Sequence, residues 1–373
     1  MKKKIHNCDF LIVGGGLIGC IAALALHQKK FQVLVLEKNS NYQDDRTLAV
    51  NANSQKFLSS LGLWKDFRNK PEKISQIIIK DYINKTPLIF ENDQEPMGYV
   101  AFNREVLSNA RNQIIKKKII FENYDVDIYN LLNTKILEIN QKKYKFKKII
   151  LCTGKNFELP SFIKKSTFKS KHKSYVGFFH HTKNHNNIAY EIFTKEGPLA
   201  VLPSPNINQK KSTFIFSTHK NLVNKDFKNI ILKFFQNTHG QIKLNNKISD
   251  FKLFPHLSQS VDHEYILMGD ILRSIHPVAG QGWNLGINDI HTLCNLLDLK
   301  KITDEDFNQI YASRRTIESI SYLAFTSLIN SLYDADNHLA RFIIKFGYQS
   351  LQNIGFLRKY FIQQAMGKIN LIG

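Results

Sequence analysis

Several features are scarce in this chain of 373 residues. It has only four cysteines, Cys8, Cys20, Cys152 and Cys294, which lie far apart in apolar stretches and form no Cys-x-x-Cys pair. We therefore expect reduced core residues in a reducing compartment. Beyond the N-terminal region, no apolar run approaches the length of about 18 residues that a membrane helix needs, so no membrane span is predicted. Repeats and low-complexity linkers are also lacking.

Acidic residues are few relative to basic ones, with 31 Asp and Glu against 52 Lys and Arg and a formal charge of +21. Such an excess can indicate binding to nucleic acid or to an anionic membrane surface. The lysines are scattered in short clusters such as 116–118, and no RNA-binding or helix-turn-helix signature accompanies them. A membrane surface is therefore favoured, and no nucleic-acid partner is predicted.

Glycines dominate the N-terminal stretch "CDFLIVGGGLIGCIAALALHQKKFQVLVLEK". After the basic residues 2–4 it resembles a secretory signal peptide, but a triple glycine interrupts it and a second strand follows. Gly14, Gly16 and Gly19 form G-x-G-x-x-G between a predicted strand and helix, and Glu37 and Lys38 end the next strand. This spacing is typical of dinucleotide binding, with the pyrophosphate at the helix N-terminus and the acid on a ribose. A glycine-rich turn that binds nothing is the alternative.

A second glycine-rich stretch, "ILMGDILRSIHPVAGQGWNLGINDIHTLCNLL", follows an apolar strand that ends at Met268. It resembles the second FAD fingerprint of the class A flavoprotein aromatic hydroxylases. The resemblance is closest to the branch that hydroxylates polyprenyl-ring precursors in ubiquinone biosynthesis. The matching residues are Gly269, Asp270, His276, Pro277, Ala279, Gly280, Gln281, Gly282, Asn284, Leu285, Gly286 and Asp289.

The resemblance implies specific roles around a flavin. Asp270 would hold the ribityl hydroxyls, Pro277 and the backbone from Gly280 to Gly282 would run under the isoalloxazine ring, and the following helix would direct its amides at the ring edge. The expected catalytic positions are Pro277, Gly280, Gln281 and Gly282. The expected cofactor-binding residues are Gly14, Gly16, Gly19, Glu37, Lys38, Arg46, Arg104, Gly269, Asp270, Gly280, Gly282, Asn284 and Leu285. A loop that is glycine-rich for packing alone is the alternative.

Other segments extend the resemblance over nearly the whole chain. "DDRTLAV" places Arg46, and "AFNREVLSNA" places Arg104, where the family has arginines near the flavin. "FIQQAMG", residues 361–367, is similar to the C-terminal signature of the ubiquinone branch. For both arginines, an ordinary solvated charge is the alternative interpretation.

The sequence departs from the family at two places. Thr153 precedes Gly154 where the family has an aspartate, and Arg273 ends a tripeptide that is normally Ala-Ala-His. The missing carboxylate contributes in the family to both FAD and NAD(P)H handling. FAD binding through the two end motifs is still expected, whereas the reductant is either NAD(P)H or a protein electron donor.

The expected fold is α/β, a Rossmann-like FAD-binding domain with an inserted antiparallel-sheet substrate domain and a helical C-terminal tail. The FAD-binding domain is expected to be discontinuous, comprising residues 1–75, 98–160 and 262–300. Residues 76–97 and 161–261 alternate apolar and polar positions and predict the substrate domain. Residues 301–373 form the helical C-terminal region.

Two polar clusters are expected to be structural. His180 and His181 are neighbours on a predicted strand and point to opposite faces, so together with His185 they do not predict a metal site. Asp304, Glu305 and Asp306 fit the first turn of a helix, where acids favour the dipole.

In the tail, Arg341, Lys345, Arg358 and Lys359 interleave with large apolar residues. This pattern fits either packing on the FAD-binding domain or an amphipathic surface on anionic lipid.

The resemblance implies an FAD-dependent monooxygenase that uses O₂ and a flavin C4a-hydroperoxide to hydroxylate a polyprenyl phenol in ubiquinone biosynthesis. The expected location is cytoplasmic, peripheral on the inner membrane. The partners that the resemblance allows include a quinone-biosynthesis complex. Two alternatives remain open. One is another FAD oxidoreductase on this scaffold, such as a prenyl reductase or a halogenase. The other is a non-catalytic scaffold of a quinone-biosynthesis complex.

Overall fold

The computed structural model describes residues 5–39, 44–170, 172–205, 208–276, 280–299 and 302–368. The strands are β1 (Ile5–Val13), β2 (Val33–Glu37), β3 (Thr47–Asn51), β4 (Glu72–Ile74), β5 (Gln76–Asp81), β6 (Leu88–Glu91), β7 (Gly98–Phe102), β8 (Ile120–Asn123), β9 (Ile136–Ile139), β10 (Lys142–Leu151), β11 (Lys165–Thr167), β12 (Lys173–His181), β13 (Ile188–Thr194), β14 (Gly197–Pro203), β15 (Lys211–Thr218), β16 (Ile242–Leu244), β17 (Ser249–Lys252), β18 (His256–Ser258), β19 (Tyr265–Leu267) and β20 (Arg273–Ser274). The helices are α1 (Leu17–Gln28), α2 (Ala52–Ser60), α3 (Asn103–Lys116), α4 (Ile128–Thr134), α5 (Asn224–His239), α6 (Gly282–Leu297), α7 (Asp304–Ala335), α8 (His338–Asn353) and α9 (Gly355–Ala365).

A six-stranded sheet forms the first layer of the molecule. Its order is β19–β10–β1–β2–β8, with parallel neighbours, and β9 adds to β10 in the antiparallel direction. The last four residues of β1, the last three of β10 and all of β19 are apolar and buried, as strands covered on both faces must be. Helix α1 packs against α3 and α6, and its residues from Gly19 to Leu26 are all buried.

An eight-stranded sheet forms the second layer, in the order β16–β12–β15–β14–β13–β5–β6 with β17 beside β12. Most pairs are antiparallel, as the alternating pattern predicts, but β5 and β13 are parallel. The antiparallel expectation was wrong for this pair, because no hairpin links the two strands. A long stretch of chain separates them and allows a parallel approach.

The antiparallel expectation was also wrong for residues 224–239, which form helix α5. Phe227, Ile231, Phe235 and His239 are its buried residues. They recur every four positions, the spacing of one face of a helix rather than of a strand. Helix α5 therefore covers one face of the eight-stranded sheet with an aromatic-rich stripe.

The C-terminal region is helical, as expected. Thr303 accepts a hydrogen bond from the backbone N–H of Asp306 and caps α7, so the three acids do occupy a first helical turn. Over the described ranges, the structure contains no helix with both the length and the apolar character needed to cross a bilayer. The four cysteines are free thiols, and Cys8, Cys20 and Cys294 are buried, in agreement with the core assignment.

Candidate functional site

Neighbouring strands of the six-stranded sheet end at one common edge. Gly14, Cys152 and Met268 each follow the end of a strand. Each donates its backbone N–H to a carbonyl in the last two residues of the neighbouring strand, at 2.8, 2.8 and 3.1 Å respectively. The loops after β1, β2, β10 and β19 therefore leave the sheet side by side, the position where open α/β sheets bind ligands.

The glycines of the first loop have different environments. Gly14 has φ +104°, and a Cβ there would lie 2.5 Å from the carbonyl oxygen of Cys152. A Cβ on Gly19 would lie 1.8 Å from the carbonyl oxygen of Gly14. By contrast, a Cβ on Gly16 would have no described atom within 4 Å. Gly14 and Gly19 are thus required by the fold, whereas Gly16 borders open space.

Glu37 is fixed beside this loop at the end of β2. Its Oε2 accepts a hydrogen bond of 2.7 Å from the N–H of Gly15, and its Oε1 accepts one of 2.8 Å from the N–H of Asn39. Each carboxylate oxygen can accept further bonds, so the group remains available to a ribose. Lys38 instead forms an exposed ion pair of 3.2 Å with Asp125.

Arg111 on α3 is a site residue that the sequence reasoning missed. Its terminal nitrogen donates a hydrogen bond of 3.2 Å to the carbonyl of Gly15, and its guanidinium lies 5.8 Å from the ring centre of Phe121. It follows Arg104 by two helical turns, so helical periodicity was the signal that could have identified it.

Ile18 joins the two glycine-rich segments. A Cβ on Gly269 would lie 3.1 Å from its Cγ1, and a Cβ on Gly286 would lie 2.7 Å from its Cδ1. Ile18 is two residues beyond Gly16, so the first loop contacts both the 3-10 turn after β19 and helix α6. The two fingerprints therefore converge, as the sequence interpretation required.

The start of α6 lies beside β3. Gly280 has φ +62°, and a Cβ there would lie 3.1 Å from that of Ala49. Gln281 is the N-cap, and among the described side chains none caps this helix end. A Cβ on Gly282 would meet no described atom within 4 Å. The first amides of α6 are therefore presented beside open space, as an anion-stabilising helix end requires.

Asn284 and Leu285 serve the fold in this structure. The Asn284 amide accepts a hydrogen bond of 3.0 Å from the N–H of Asn51 and donates one of 2.9 Å to the carbonyl of Ala49. The backbone N–H of Leu285 donates a hydrogen bond to the carbonyl of Gln281 at the start of α6. The cofactor contacts expected of these two residues stay a prediction.

Asp270 follows Gly269, which adjoins Ile18 of α1 and Gly286 of α6. Its side chain reaches solvent although protein surrounds it on several sides. Desolvation raises the pKa of Asp270 from its usual value, while the positive charges of Lys155 and Arg46 oppose the shift. A carboxylate that is recessed yet accessible is suited to a polar ligand that occupies the recess.

Arg46 and Arg104 each form an ion pair with an aspartate that precedes β3 in the sequence. Arg46 binds Asp44 through Nε and a terminal nitrogen, the latter at 2.6 Å. Burial alone would raise the pKa of Asp44, but hydrogen bonds and charge from Arg46 hold it below its usual value. Arg104 pairs with Asp45 in a largely exposed setting. Of these two arginines, Arg46 is the one whose charge lowers the pKa of Asp270.

Phe251 on β17 brings the eight-stranded sheet to this region, and the sequence reasoning missed it. Its ring centre lies 5.2 Å from the Arg46 guanidinium and 5.6 Å from the Lys155 ammonium. Cation–π contacts of this kind tie the second layer to the loop edge of the first. No local sequence pattern could have identified Phe251, because Arg46, Lys155 and Phe251 are distant from one another in sequence.

Arg273, the unexpected residue after Gly-Asp, belongs to a buried ion network. It lies 2.5 Å from the Asp289 carboxylate and donates a hydrogen bond of 2.8 Å to the carbonyl of Leu285. Asp289 also accepts a hydrogen bond from the N–H of Gly269 and lies 3.5 Å from Arg315. Arg273 therefore stabilises the second glycine-rich stretch through its contacts with Asp289 and Leu285.

Thr153 and Gly154 occupy the loop after β10, where the family has its middle aspartate. The Thr153 hydroxyl is buried and has no hydrogen-bond partner among the described atoms. Gly154 has φ +80°, and a Cβ on it would meet no described atom within 4 Å. The loop thus keeps the open backbone of the site without the carboxylate.

His276 is buried at the end of the segment before the second glycine loop. Its ring packs edge to face against His172, with centres 5.5 Å apart, and burial lowers its pKa to about 4. It is therefore neutral at pH 7. Pro277, which was predicted beneath the isoalloxazine ring, lies outside the described residues.

The histidines of the second layer do not form a metal site. His180 is exposed and His181 is buried, as their opposite orientations predict. His181 and His239 pack edge to face with centres 4.6 Å apart, and His185 adjoins them. Over the described ranges, no group of three or more His, Cys, Asp or Glu side chains has the arrangement to hold a metal ion.

The arrangement fits FAD. Two helix N-termini, at Gly16 and Gln281, lack side-chain caps in the described ranges, and a Cβ on Gly16 or Gly282 would enter open space. Asp270 follows Gly269, which is in contact with Ile18 near the first helix N-terminus and with Gly286 of α6. Amide donors suit the pyrophosphate at one end and the electron-rich edge of a flavin at the other, and a carboxylate suits hydroxyl groups.

Comparison with known proteins agrees with this geometry. The family model described as an FAD binding domain matches residues 7–110 and 169–315, more than half of the chain. The chain therefore belongs to the FAD-binding domain family, and FAD is its cofactor. The family resemblance inferred from the sequence motifs is confirmed.

Two curated relatives match nearly the full length. The chain is 24% identical over 402 residues to the ubiquinone hydroxylase UbiL of Rhodospirillum rubrum, covering 97% of this chain and 90% of that protein. It is 23% identical over 428 residues to the human mitochondrial ubiquinone biosynthesis monooxygenase COQ6, covering 94% and 91%.

Solved structures share the fold at low identity. The p-nitrophenol 4-monooxygenase PnpA of Pseudomonas putida superposes with a TM-score of 0.75 at 13% identity, covering 97% of this chain and 98% of that one. The flavin-dependent brominase Bmp2 superposes with a TM-score of 0.69 at 12% identity, covering 98% and 94%. The expected fold class is thereby confirmed.

Proposed function

We propose that this protein is an FAD-dependent monooxygenase that hydroxylates a polyprenylated phenol in ubiquinone biosynthesis. The observation that carries the proposal is the convergence, through Ile18, of two loops suited to opposite ends of one FAD. The names of the relatives UbiL and COQ6 support the reaction and the pathway. Bound FAD would supply the redox and oxygen chemistry, and the protein supplies binding, orientation and electrostatics.

Each part of the site has a task in this reaction. The N–H groups at the start of α1 bind the pyrophosphate, and Glu37 binds the adenosine ribose. Asp270 orients the ribityl chain, with Arg46 and Lys155 balancing its charge. The backbone at Gly280 and Gly282 would hold the isoalloxazine ring, since neither residue carries a side chain. The positive end of α6 stabilises negative charge on the ring edge.

The second layer binds the substrate ring and limits water. Phe251 rests against Arg46 and Lys155 on the cofactor side. We assign residues 1–75, 98–160 and 262–300 to cofactor binding, 76–97 and 161–261 to the substrate, and 301–373 to the helical region. Catalytic roles for the backbone at Pro277, Gly280, Gln281 and Gly282 are part of this proposal.

Aerobic turnover tests the proposal directly. FAD-loaded protein should add one oxygen atom to a short-chain prenyl phenol, seen as a mass increase of the product. Photoreduction of the flavin removes dependence on an unknown electron donor. NAD(P)H and a reduced ferredoxin can then be compared as donors. Peroxide release without any oxygenated product, across a panel of prenyl phenols, would reject hydroxylation.

A non-catalytic scaffold was the alternative of a different class. Its support was the altered middle motif at Thr153 together with Arg273, and the structure accounts for Arg273 as the partner of Asp289. Flavin content separates the two functions, because a scaffold need not bind FAD. Complementation of a quinone-deficient strain by a Gly16→Asp variant would favour the scaffold.

We further propose that the protein docks on the cytoplasmic face of the inner membrane through the outer face of α8. Ala340, Ile344 and Tyr348 are buried on the inner side of this helix. On the opposite side, Leu339, Phe342, Ile343 and Phe346 are exposed, by 43 to 68%. We call these four residues the outer apolar face. Exposed aromatic and aliphatic residues beside basic ones are typical of helices that lie on anionic lipid.

A further inference from the structure

A cavity of about 250 Å³ opens beside α8, away from the candidate FAD site. It is lined by Tyr82 and Ile83 after β5, by Lys195 in the turn between β13 and β14, and by Arg341 and Lys345 of α8. The Lys195 ammonium lies 5.7 Å from the centre of the Tyr82 ring. Three cationic side chains thus converge on one small recess.

The carboxylates nearby do not neutralise this recess. Asp336 accepts hydrogen bonds from Arg341 Nε at 2.8 Å and from the Tyr82 hydroxyl at 2.9 Å. In the part of the chain that the structure describes, neither Lys195 nor Lys345 lies within 4 Å of a carboxylate. Asp336 balances one of the three cations.

Two other acids lie near the recess. Glu196, the neighbour of Lys195, lies 3.6 Å from Lys220 and is paired with that cation. Asp81 accepts hydrogen bonds from the Tyr333 hydroxyl at 2.8 Å and from the N–H of Ile83 at 2.9 Å. Both donors are neutral, so the Asp81 carboxylate keeps its charge, and the three cations exceed Asp336 and Asp81 by one positive charge. The recess therefore keeps a charge complementary to a phosphate group.

The cavity adjoins the outer apolar face. Arg341 precedes Phe342 and Lys345 precedes Phe346 along α8, so the two lining cations of this helix are each next to an exposed ring in the sequence. Long basic side chains place their charge at the headgroup level when neighbouring apolar residues enter the acyl region. A soluble phosphate would use the cations but would leave the exposed rings without a role.

We propose that this cavity binds the phosphate of an anionic phospholipid headgroup while the outer apolar face enters the bilayer. The inference rests on the proposed membrane docking and assigns it a specific anion site. Lys195 and Lys345 contact the phosphate oxygens, and Arg341 contacts them with the donors that Asp336 leaves available. Lys195 lies outside α8, so the site also fixes the orientation of the sheet on the membrane.

Vesicle sedimentation of the FAD-loaded, full-length protein tests the site. The Lys195→Gln/Lys345→Gln variant should bind phosphatidylglycerol-containing vesicles about thirtyfold more weakly than the wild type. A charge-matched control, Lys116→Gln/Lys117→Gln at the end of α3, should change binding less than about twofold. Weak binding to phosphatidylcholine vesicles should be the same in all three proteins. Flavin content and melting temperature verify that each variant is folded.

The remaining arms separate failure of the site from failure of the docking proposal. Equal losses in the two lysine variants would reduce the effect to diffuse charge and overturn the site. Tight calorimetric binding of inorganic phosphate, without any preference for anionic vesicles, would overturn the lipid assignment. Phe342→Ser/Phe346→Ser should abolish vesicle binding. If only this variant fails, docking is upheld and the cavity is rejected, whereas full binding by it rejects docking itself.

Discussion

At the scale of single residues, the glycines of the first loop divide into two groups. Gly14 and Gly19 are in contact with backbone atoms, while Gly16 faces open space. This difference separates residues that the fold needs from one that the ligand needs, and it leads to opposite predictions for the same substitution at two positions.

Gly16→Val should weaken FAD binding without harming the apoprotein. The added side chain occupies the space of the pyrophosphate, so we expect at least about a hundredfold loss of affinity. The apoprotein melting temperature should change by less than about 2 °C. Fluorescence titration with FAD and thermal unfolding measure the two effects.

Gly19→Val is the matched comparison. Its side chain would collide with the carbonyl of Gly14, because a Cβ alone comes within 1.8 Å. It should lower the melting temperature of the apoprotein by several degrees, as overpacking costs about 1–3 kcal/mol. A stable Gly19→Val protein, or a Gly16→Val protein with full FAD affinity, would contradict the assigned roles.

The Arg273–Asp289 pair gives a second residue-scale prediction. Both side chains are almost inaccessible, 2% and 0% exposed. Arg273→Ala leaves a buried carboxylate without its nearest cation and should reduce the free energy of unfolding by about 3–5 kcal/mol. The exposed Lys142→Ala should change it by less than about 0.5 kcal/mol. Denaturant titration measures both variants, and a loss below 1 kcal/mol for Arg273→Ala would refute the pairing.

Sequence reasoning predicted the residues whose role is fixed by local sterics. The glycine loops and the acid after β2 have spacings that a strand–turn–helix unit imposes, so their positions could be read directly. Phe251 and Arg111 could not be identified in this way. Their contacts with Arg46, Lys155 and Gly15 depend on how distant segments pack, which no local spacing encodes.

At the scale of elements, the helical tail was predicted and helix α5 was not. The tail has long runs with helical periodicity and a capping Thr303. Helix α5 is a single helix among strands. Its N-cap residue is Val223, and valine is not one of the residue types that signal the start of a helix. The parallel pairing of β5 with β13 was missed because strand direction depends on the route of the intervening chain.

Three buried histidines link α5 to the eight-stranded sheet and make its stability depend on pH. Burial lowers the pKa of His185 to about 4 and of His239 to about 3, and it also lowers the pKa of His181. In the unfolded chain these groups titrate near the ordinary value of about 6.5. The unfolded state therefore binds more protons between these limits, and stability falls as pH decreases from about 6.5 toward about 4.

His239→Gln should reduce this pH dependence. The variant lacks one group that must be buried uncharged, so its melting temperature should fall less steeply between pH 6.5 and 4 than that of the wild type. The exposed His263→Gln serves as the control and should follow the wild-type curve. Parallel curves for wild type and His239→Gln would show that His239 does not contribute.

At the scale of the whole molecule, the two fingerprints are separated by about 250 residues in sequence yet meet through Ile18. The resemblance predicted this convergence because both stretches matched one cofactor. The sheet explains it physically, since β1 and β19 are parallel to β10 and end at the same edge. The lipid-binding surface lies on different elements, so variants there should leave FAD binding intact.

The most direct test of the central claim is an FAD titration of the wild type beside Gly16→Val and Gly282→Val, with ADP and riboflavin as competing fragments. The wild-type protein should bind one FAD per chain. Gly16→Val should lose competition by ADP, and Gly282→Val should lose competition by riboflavin, while both lose tight FAD binding. Retention of wild-type FAD affinity by either variant would show that the two loops do not hold one flavin nucleotide.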